Sequence, residues 1–307
     1  MSLKGFFMKN GKPHDERDKI ANFYPPGSLK NRFFAGYDQE LKTGLMIGKQ
    51  VSHSGVWKVL LFGFPGCGKS EFPFILVEKL KTELNLDFSL LYVKCHRLAS
   101  YYDDVGQMKS HLKELKEKVE DFQPTILAFD EFDAISPRRT SISSSLTELS
   151  LWTMSFLANG SDIDSDKKML VFGITNFPNL VDVAVRDRFQ YPMFFGIANM
   201  NVVSAILEYN GIRNPKEVSM KLLELLTQAG QTVTGRGVAL GCKALKQIES
   251  EILKKTDVPP EQMAKLLLIH AQPINTKEFN DYHSQNWGLI KQSKTVLDYW
   301  LEKFNNT

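Results

Sequence analysis

Residues 63–70 read Gly63-Phe64-Pro65-Gly66-Cys67-Gly68-Lys69-Ser70, and this stretch decides the fold. It satisfies G-x-x-x-x-G-K-[ST], the spacing of a phosphate-binding loop. The glycines let the backbone curl until successive N–H groups aim at phosphate oxygens. A helix N-terminus behind them adds partial positive charge. Lys69 is then placed to reach the β- and γ-phosphates of a nucleotide, and the Ser70 hydroxyl to hold Mg2+. Gly63, Pro65, Gly66, Cys67 and Gly68 supply the cradle. The motif needs a strand before it and a helix after it. Lys58–Phe62 (KVLLF) and Ser70–Leu84 provide both. Cys67 sits at a free position of the motif and has no base at a recognisable spacing, so it is not read as a nucleophile.

Outward from the loop, short apolar runs alternate with stretches of helical length. The further runs are Phe88–Val93, Ile126–Phe129, Met169–Ile174 and Met193–Phe195. The amphipathic stretches between them include Asp104–Val119 and Ser144–Leu157. Near-continuous apolar strands separated by helices predict a parallel sheet covered on both faces, hence a three-layer α/β domain. From about Ala198 the strand signals stop. Val202–Tyr209, Ser219–Ala229, Val238–Lys254 and Pro260–His270 carry helix-period apolar residues, with a further helix over Val296–Phe304. This part reads as a small all-α unit. Residues 1–35 are polar and broken by Gly11, Pro13, Pro25, Pro26 and Gly27, and read as an irregular arm. Residues 37–50 predict a short helix. The expected division is 1–54 for arm and linker helix, 55–198 for the α/β unit, and 199–307 for the helical lid and C-terminal helices.

Two more strand ends carry chemistry. Ile126–Phe129 runs into Asp130-Glu131. Two carboxylates at the end of a buried strand are costly unless they meet a cation. Asp130 is expected in the Mg2+ shell, with Glu131 polarising the attacking water. Asp133 is the alternative base. Met169–Ile174 runs into Thr175-Asn176, where Asn176 is the candidate to orient that water or sense the γ-phosphate; the other reading is a turn asparagine before Phe177-Pro178.

Composition limits the classes. The 307 residues are 43% hydrophobic and 24% charged, which excludes disorder over most of the chain. No apolar run is long enough for a membrane-spanning helix, and the N-terminus lacks a signal-peptide pattern. Three cysteines without C-x-x-C spacing argue against a disulfide framework or a zinc site and fit a reducing cytoplasm. The six histidines show no metal-ligand spacing. The net charge of +3 neither demands nor excludes nucleic acid. Asp104–Val119 interleaves glutamates with its lysines and reads as a solvated helix face.

GFPGCGKS, ILAFDEFDAISPRR and ITNFPNLVDVAVRDRF together resemble the AAA+ ATPases over about residues 55–255. The resemblance implies a P-loop NTPase (AAA+) domain followed by a helical lid. It also implies ATP and Mg2+ as cofactors, and sites shared between subunits of a homo-hexameric ring. Arg188 in VAVRDRF falls at the arginine-finger position, with Arg186 as the second candidate. The Gly-Arg-Phe form common in that class is absent, so both stay open, and a local ion pair with Asp182 or Asp187 is the plain reading. Arg236, in Thr234-Gly235-Arg236, matches the lid arginine that contacts phosphate.

Residues 181–188 (VDVAVRDR) are similar to the pachytene-checkpoint branch, whose members act on HORMA-domain proteins. Tyr101 and Tyr102 fall where that branch carries a substrate-gripping pore loop. Arg138-Arg139 with Thr140–Ser145 is either a second pore-facing loop or a solvated one. About 55 residues precede the first core strand, a compact build resembling the bacterial members of CBASS anti-phage systems. The resemblance implies a cytoplasmic remodeller that dismantles a complex of a HORMA-domain protein with a cGAS-like nucleotidyltransferase. The alternative is a nucleic-acid-linked AAA+ ATPase of helicase-loader or transposition-regulator type, for which no helix-turn-helix signal follows Lys255. A non-hydrolysing nucleotide-gated scaffold is the third reading; the intact Lys69, Asp130 and Glu131 speak against it.

Overall fold

A computed structural model of the chain describes residues 8–9, 12–13, 21–53, 55–101, 106, 110, 122–138, 167–248 and 258–305. The predicted helices Asp104–Val119 and Ser144–Leu157 lie outside the described residues apart from 106 and 110, as do Tyr102 and 139–145.

A six-stranded sheet forms the centre. Its strands are β1 (Ala21–Tyr24), β2 (Gly55–Gly63), β3 (Ser89–Lys94), β4 (Thr125–Asp130), β5 (Lys168–Thr175) and β6 (Tyr191–Phe195). They lie in the order β1-β3-β4-β5-β2-β6. Every pairing is parallel except that of β1 with β3. The five parallel strands coincide with the five apolar runs of the sequence. The parallel strands need both faces covered, which is why β2 is buried without a break from Lys58 to Gly63.

The two faces have separate cores. Val59, Leu61, Ile126, Ala128, Leu170 and Phe172 pack on one side with residues of α1 (Asp38–His53) and α2 (Phe72–Leu84). Leu60, Leu91, Val93, Leu127, Phe129 and Val171 face the other side. There they meet Leu98 of α3 (Cys95–Tyr101) and Val185 of α4 (Val183–Arg186). This is the predicted three-layer arrangement.

Helices α5 (Met200–Tyr209), α6 (Pro215–Gln228), α7 (Gly235–Ile248) and α8 (Pro260–His270) share a third core built on Val203, Leu207, Leu222, Val238, Cys242 and Leu267. This is the lid. Asn199 caps α5 through its side chain, accepting from Val202 N at 3.0 Å.

Two features differ from the sequence reading. Ala21–Tyr24, expected to be irregular, pairs antiparallel with β3 and closes one sheet edge. Four residues before Pro25-Pro26 carry too little alternation to register as a strand; the partner supplies the order. The C-terminal helices α9 (Thr276–Gln285) and α10 (Trp287–Asn305) return to the α/β layer. Helix α10 packs on β6 and α1, and Ser293 Oγ accepts from Phe194 N at 2.9 Å. The second sheet edge is thereby covered. Among the described residues no helix is long and apolar enough to cross a membrane.

Candidate nucleotide site

The loop after β2 curls as its sequence requires. Gly63 has φ 152° and Gly66 has φ 82°. A Cβ on Gly63 would stand 2.1 Å from the Phe195 carbonyl oxygen of β6. One on Gly66 would stand 2.8 Å from Thr234 Oγ1. Neither position tolerates a side chain, for a different reason each time. The first lets the neighbouring strand approach; the second lets the lid dock. That docking is direct, since Arg236 N donates to Gly66 O at 3.1 Å. Thr234 Oγ1 also accepts from Gly237 N at 3.2 Å, capping the start of α7.

Lys69 is only 4% exposed. Its ammonium donates to Gly63 O and Phe64 O, both at 2.9 Å. Burial lowers its pKa to about 8, with Arg236 adding to that and Cys67 and Asp130 opposing it. The Cys67 thiol is pushed up to about 11 by burial, so it stays protonated, in keeping with its reading as a non-nucleophile.

Register places the acidic strand end beside the loop. Residue 130 of β4 lies opposite Ile174 of β5, and Thr175 lies opposite Phe62 of β2. The tip of β5 therefore sits between loop and carboxylates. Ser70 Oγ donates to Asp130 Oδ1 at 3.2 Å. Two hard oxygen donors converging at a strand end suit Mg2+, so the residues present fit that ion. Glu131 takes a left-handed backbone, φ 54°, and its carboxylate contacts His96 Nδ1. Thr175 Oγ1 donates to Asp133 Oδ1 at 2.6 Å, which engages the alternative base.

A cleft of about 750 Å3 runs over these groups. Pro65, Gly66, Cys67, Gly68, Lys69 and Ser70 line it, together with Asp130, Glu131, Asn176 and Arg236. The structure thus gathers the phosphate-loop, acidic, strand-tip and lid candidates into one wall. Arg186 and Arg188 are not part of that wall. Arg188 donates to Ala184 O at 2.5 Å and Arg186 to Pro178 O at 3.5 Å. The Asp182 carboxylate caps α4 instead, accepting from Ala184 N at 2.9 Å. Tyr101 is the last residue of α3, and Tyr102 lies outside the described residues.

The far end of the cleft holds residues the sequence did not single out. Phe33, Phe34 and Ala35 come from the arm, and Val202, Ile206 and Tyr209 from α5. Phe33 stacks on Tyr209 with ring centroids 4.0 Å apart. Tyr37, at φ 59°, donates from its hydroxyl to Gly196 O at 2.7 Å and fixes the arm to the end of β6.

Residues 59–197 match the family model described as ATPase family associated with various cellular activities (AAA). Peroxisomal ATPase pex6 of Schizosaccharomyces pombe is 33% identical over 143 residues, 45% of this chain and 14% of that protein. The ATPase with bromodomain protein abo2 of the same organism is 32% identical over 170 residues, 54% of this chain and 14% of that one. Peroxisomal ATPase PEX6 of Candida glabrata is 27% identical over 240 residues, 75% of this chain and 22% of its own length. The chain spans less than a quarter of the length of these curated relatives. Among solved structures, the FIGL-1 AAA domain superposes with TM-score 0.66 at 18% identity, over 90% of this chain and 96% of that one. The same domain in complex with ADP gives TM-score 0.61 over 92% and 99%. The fold is that of an AAA domain.

Proposed function

We propose, from the premise that residues 59–197 carry an AAA domain, that this chain is a ring-forming ATPase that spends ATP hydrolysis on remodelling a protein. One observation carries the reading. Ser70 and Asp130, 60 residues apart, meet at 3.2 Å in a cleft that also presents Lys69, Glu131, Asn176 and Arg236.

The residues divide the work. Loop amides and the Lys69 ammonium bind the phosphates, and Arg236 reaches them from the lid. Ser70 and Asp130 would hold Mg2+, which neutralises charge on the β- and γ-phosphates when bound. Glu131 accepts the proton of the water that attacks the γ-phosphorus, and ADP leaves. Asn176, at the β5 tip, orients that water. The base rests against the apolar wall of Phe33, Val202, Ile206 and Tyr209, in line with the ADP complex of a neighbour of the same fold. Arg188, outside its own cleft, serves a neighbouring subunit of a homo-hexamer, with Arg186 as second candidate.

The substrate assignment rests on the likeness of 181–188 and of Tyr101-Tyr102 to the pachytene-checkpoint branch. On it, the ring grips a HORMA-domain protein and separates it from a cGAS-like nucleotidyltransferase in the cytoplasm, as part of CBASS control.

The test combines phosphate release with capture. Glu131→Gln is expected to bind ATP, to hydrolyse it about 10²–10⁴-fold more slowly, and to retain a HORMA-domain protein in an ATP-dependent pull-down that Tyr102→Ala abolishes. Normal turnover by Glu131→Gln removes the role given to that residue. Capture of nucleic acid, or of no protein, moves the substrate assignment to the nucleic-acid class. Arg188→Ala subunits mixed with Lys69→Ala subunits are expected to recover part of the lost activity; no recovery counts against action across the interface.

A further inference from the structure

The Asp130 carboxylate has a third partner, and it comes from a strand with no motif. Tyr92 lies on β3, in parallel register with Ala128 of β4. Residues 90, 92 and 94 face the same side of the sheet as 126, 128 and 130, because strand side chains alternate. Ala128 beside Tyr92 is small. The Tyr92 hydroxyl reaches Asp130 Oδ2. From above, the Phe74 ring of α2 holds the phenol at a centroid distance of 4.8 Å. Tyr92 is 5% exposed and belongs to the main core cluster.

The two carboxylate oxygens are thus assigned separately. Oδ1 accepts from Ser70 Oγ at 3.2 Å and from Glu131 N at 3.1 Å. Oδ2 accepts from Tyr92. A carboxylate held at both oxygens cannot rotate about its terminal torsion.

We infer that Tyr92 is a positioning residue for the metal-binding carboxylate: by occupying Oδ2 it presents Oδ1, beside Ser70 Oγ, to Mg2+. The inference rests on the reading of Ser70 and Asp130 as the Mg2+ pair. Tyr92 does not line the cleft, so it acts through Asp130 and touches neither nucleotide nor metal. Groups that orient a metal ligand in this way typically contribute about 10–100-fold in metal affinity.

The experiment uses the full chain and ADP, measuring ADP binding across a Mg2+ titration and again in EDTA. Tyr92→Phe keeps the ring against Phe74 and removes only the hydroxyl. It is expected to raise the Mg2+ concentration that half-saturates the enhancement of ADP binding about tenfold or more. ADP affinity in EDTA is expected to stay at its wild-type value, which a general packing defect beneath the loop would not allow. Asp130→Asn, run in parallel, separates the two failures. If Asp130→Asn leaves the Mg2+ titration unmoved, the metal-pair reading fails and the inference with it. If Asp130→Asn shifts the titration and Tyr92→Phe does not, the inference about Tyr92 alone is overturned. A Tyr92→Phe chain that loses ADP binding equally in EDTA and in Mg2+ also overturns it, since the hydroxyl then supports the loop rather than the metal ligand.

Discussion

The phosphate end and the base end of the cleft are built in opposite ways. At the phosphate end, the loop at residues 63–70 and the pair Asp130-Glu131 are each contiguous in sequence, and strand register alone brings them together. At the base end, Phe33, Val202 and Tyr209 arrive from the arm and the lid, with the five parallel strands of the sheet between them in the chain. The first end is charged and tied by hydrogen bonds to its own loop. The second is apolar and tied by ring contact. The groups proposed to act on phosphate are therefore placed on the sheet, while the apolar wall depends on how lid and arm sit.

Removing charge at the phosphate end is the largest expected effect. Lys69→Met is expected to lower the hydrolysis rate by about 10²–10³-fold, the range for losing one preorganised electrostatic group. A change below tenfold in phosphate release would break the contrast between the two ends.

Next comes the joint between them. Gly66→Ala puts a Cβ at 2.8 Å from Thr234 Oγ1 and 3.1 Å from Arg236 Cβ, in a left-handed residue. Its cost is expected at about 1–3 kcal/mol, read as a lower unfolding temperature together with weaker ADP binding. Weaker ADP binding at an unchanged unfolding temperature would confine the role of Gly66 to the phosphate cradle.

A smaller effect is expected at the base end. Tyr209→Ala loses the stack on Phe33, a contact of about 0.5–1.5 kcal/mol, and is expected to weaken ADP about 2–12-fold while leaving pyrophosphate binding unchanged. Loss of both would show that lid docking, not base contact, depends on this ring.

The mildest test is pH. On the proposed reading Lys69 meets phosphate as the cation, and burial lowers its pKa in the free protein to about 8. ADP affinity is expected to fall about fourfold between pH 7 and 8.5 as the ammonium deprotonates. Stability of the nucleotide-free protein moves the other way. The folded value lies below the unfolded one of 10.5, so the unfolded chain binds more protons between the two. The Lys69 contribution to stability therefore rises with pH across that window. Lys69→Met is expected to abolish both trends; their persistence in that variant would assign them to another group.

What could be read without coordinates follows the same division. Lys69 and Ser70 stand at fixed spacing in a glycine loop, and Asp130 and Glu131 at a strand end where charge is costly without a ligand, so their residue types speak for themselves. Phe33 and Tyr209 do not. An aromatic in an arm or on a helix has the same composition whether it fills a core or lines a cleft. Tyr92 was hidden for a related reason: in FSLLYV it passes as one more apolar strand residue, and only its hydroxyl distinguishes its task. His96, next to Glu131, belongs to the same group.

Local sequence by itself determined the five parallel strands, the phosphate loop and the acidic strand end, because each depends on short-range periodicity and on glycine and charge at fixed spacing. Tertiary structure alone decided three things: that Ala21–Tyr24 becomes an edge strand, that α10 covers β6, and that lid and arm close the cleft over the loop. Each of these depends on a partner more than 30 residues away, and no local pattern encodes the partner.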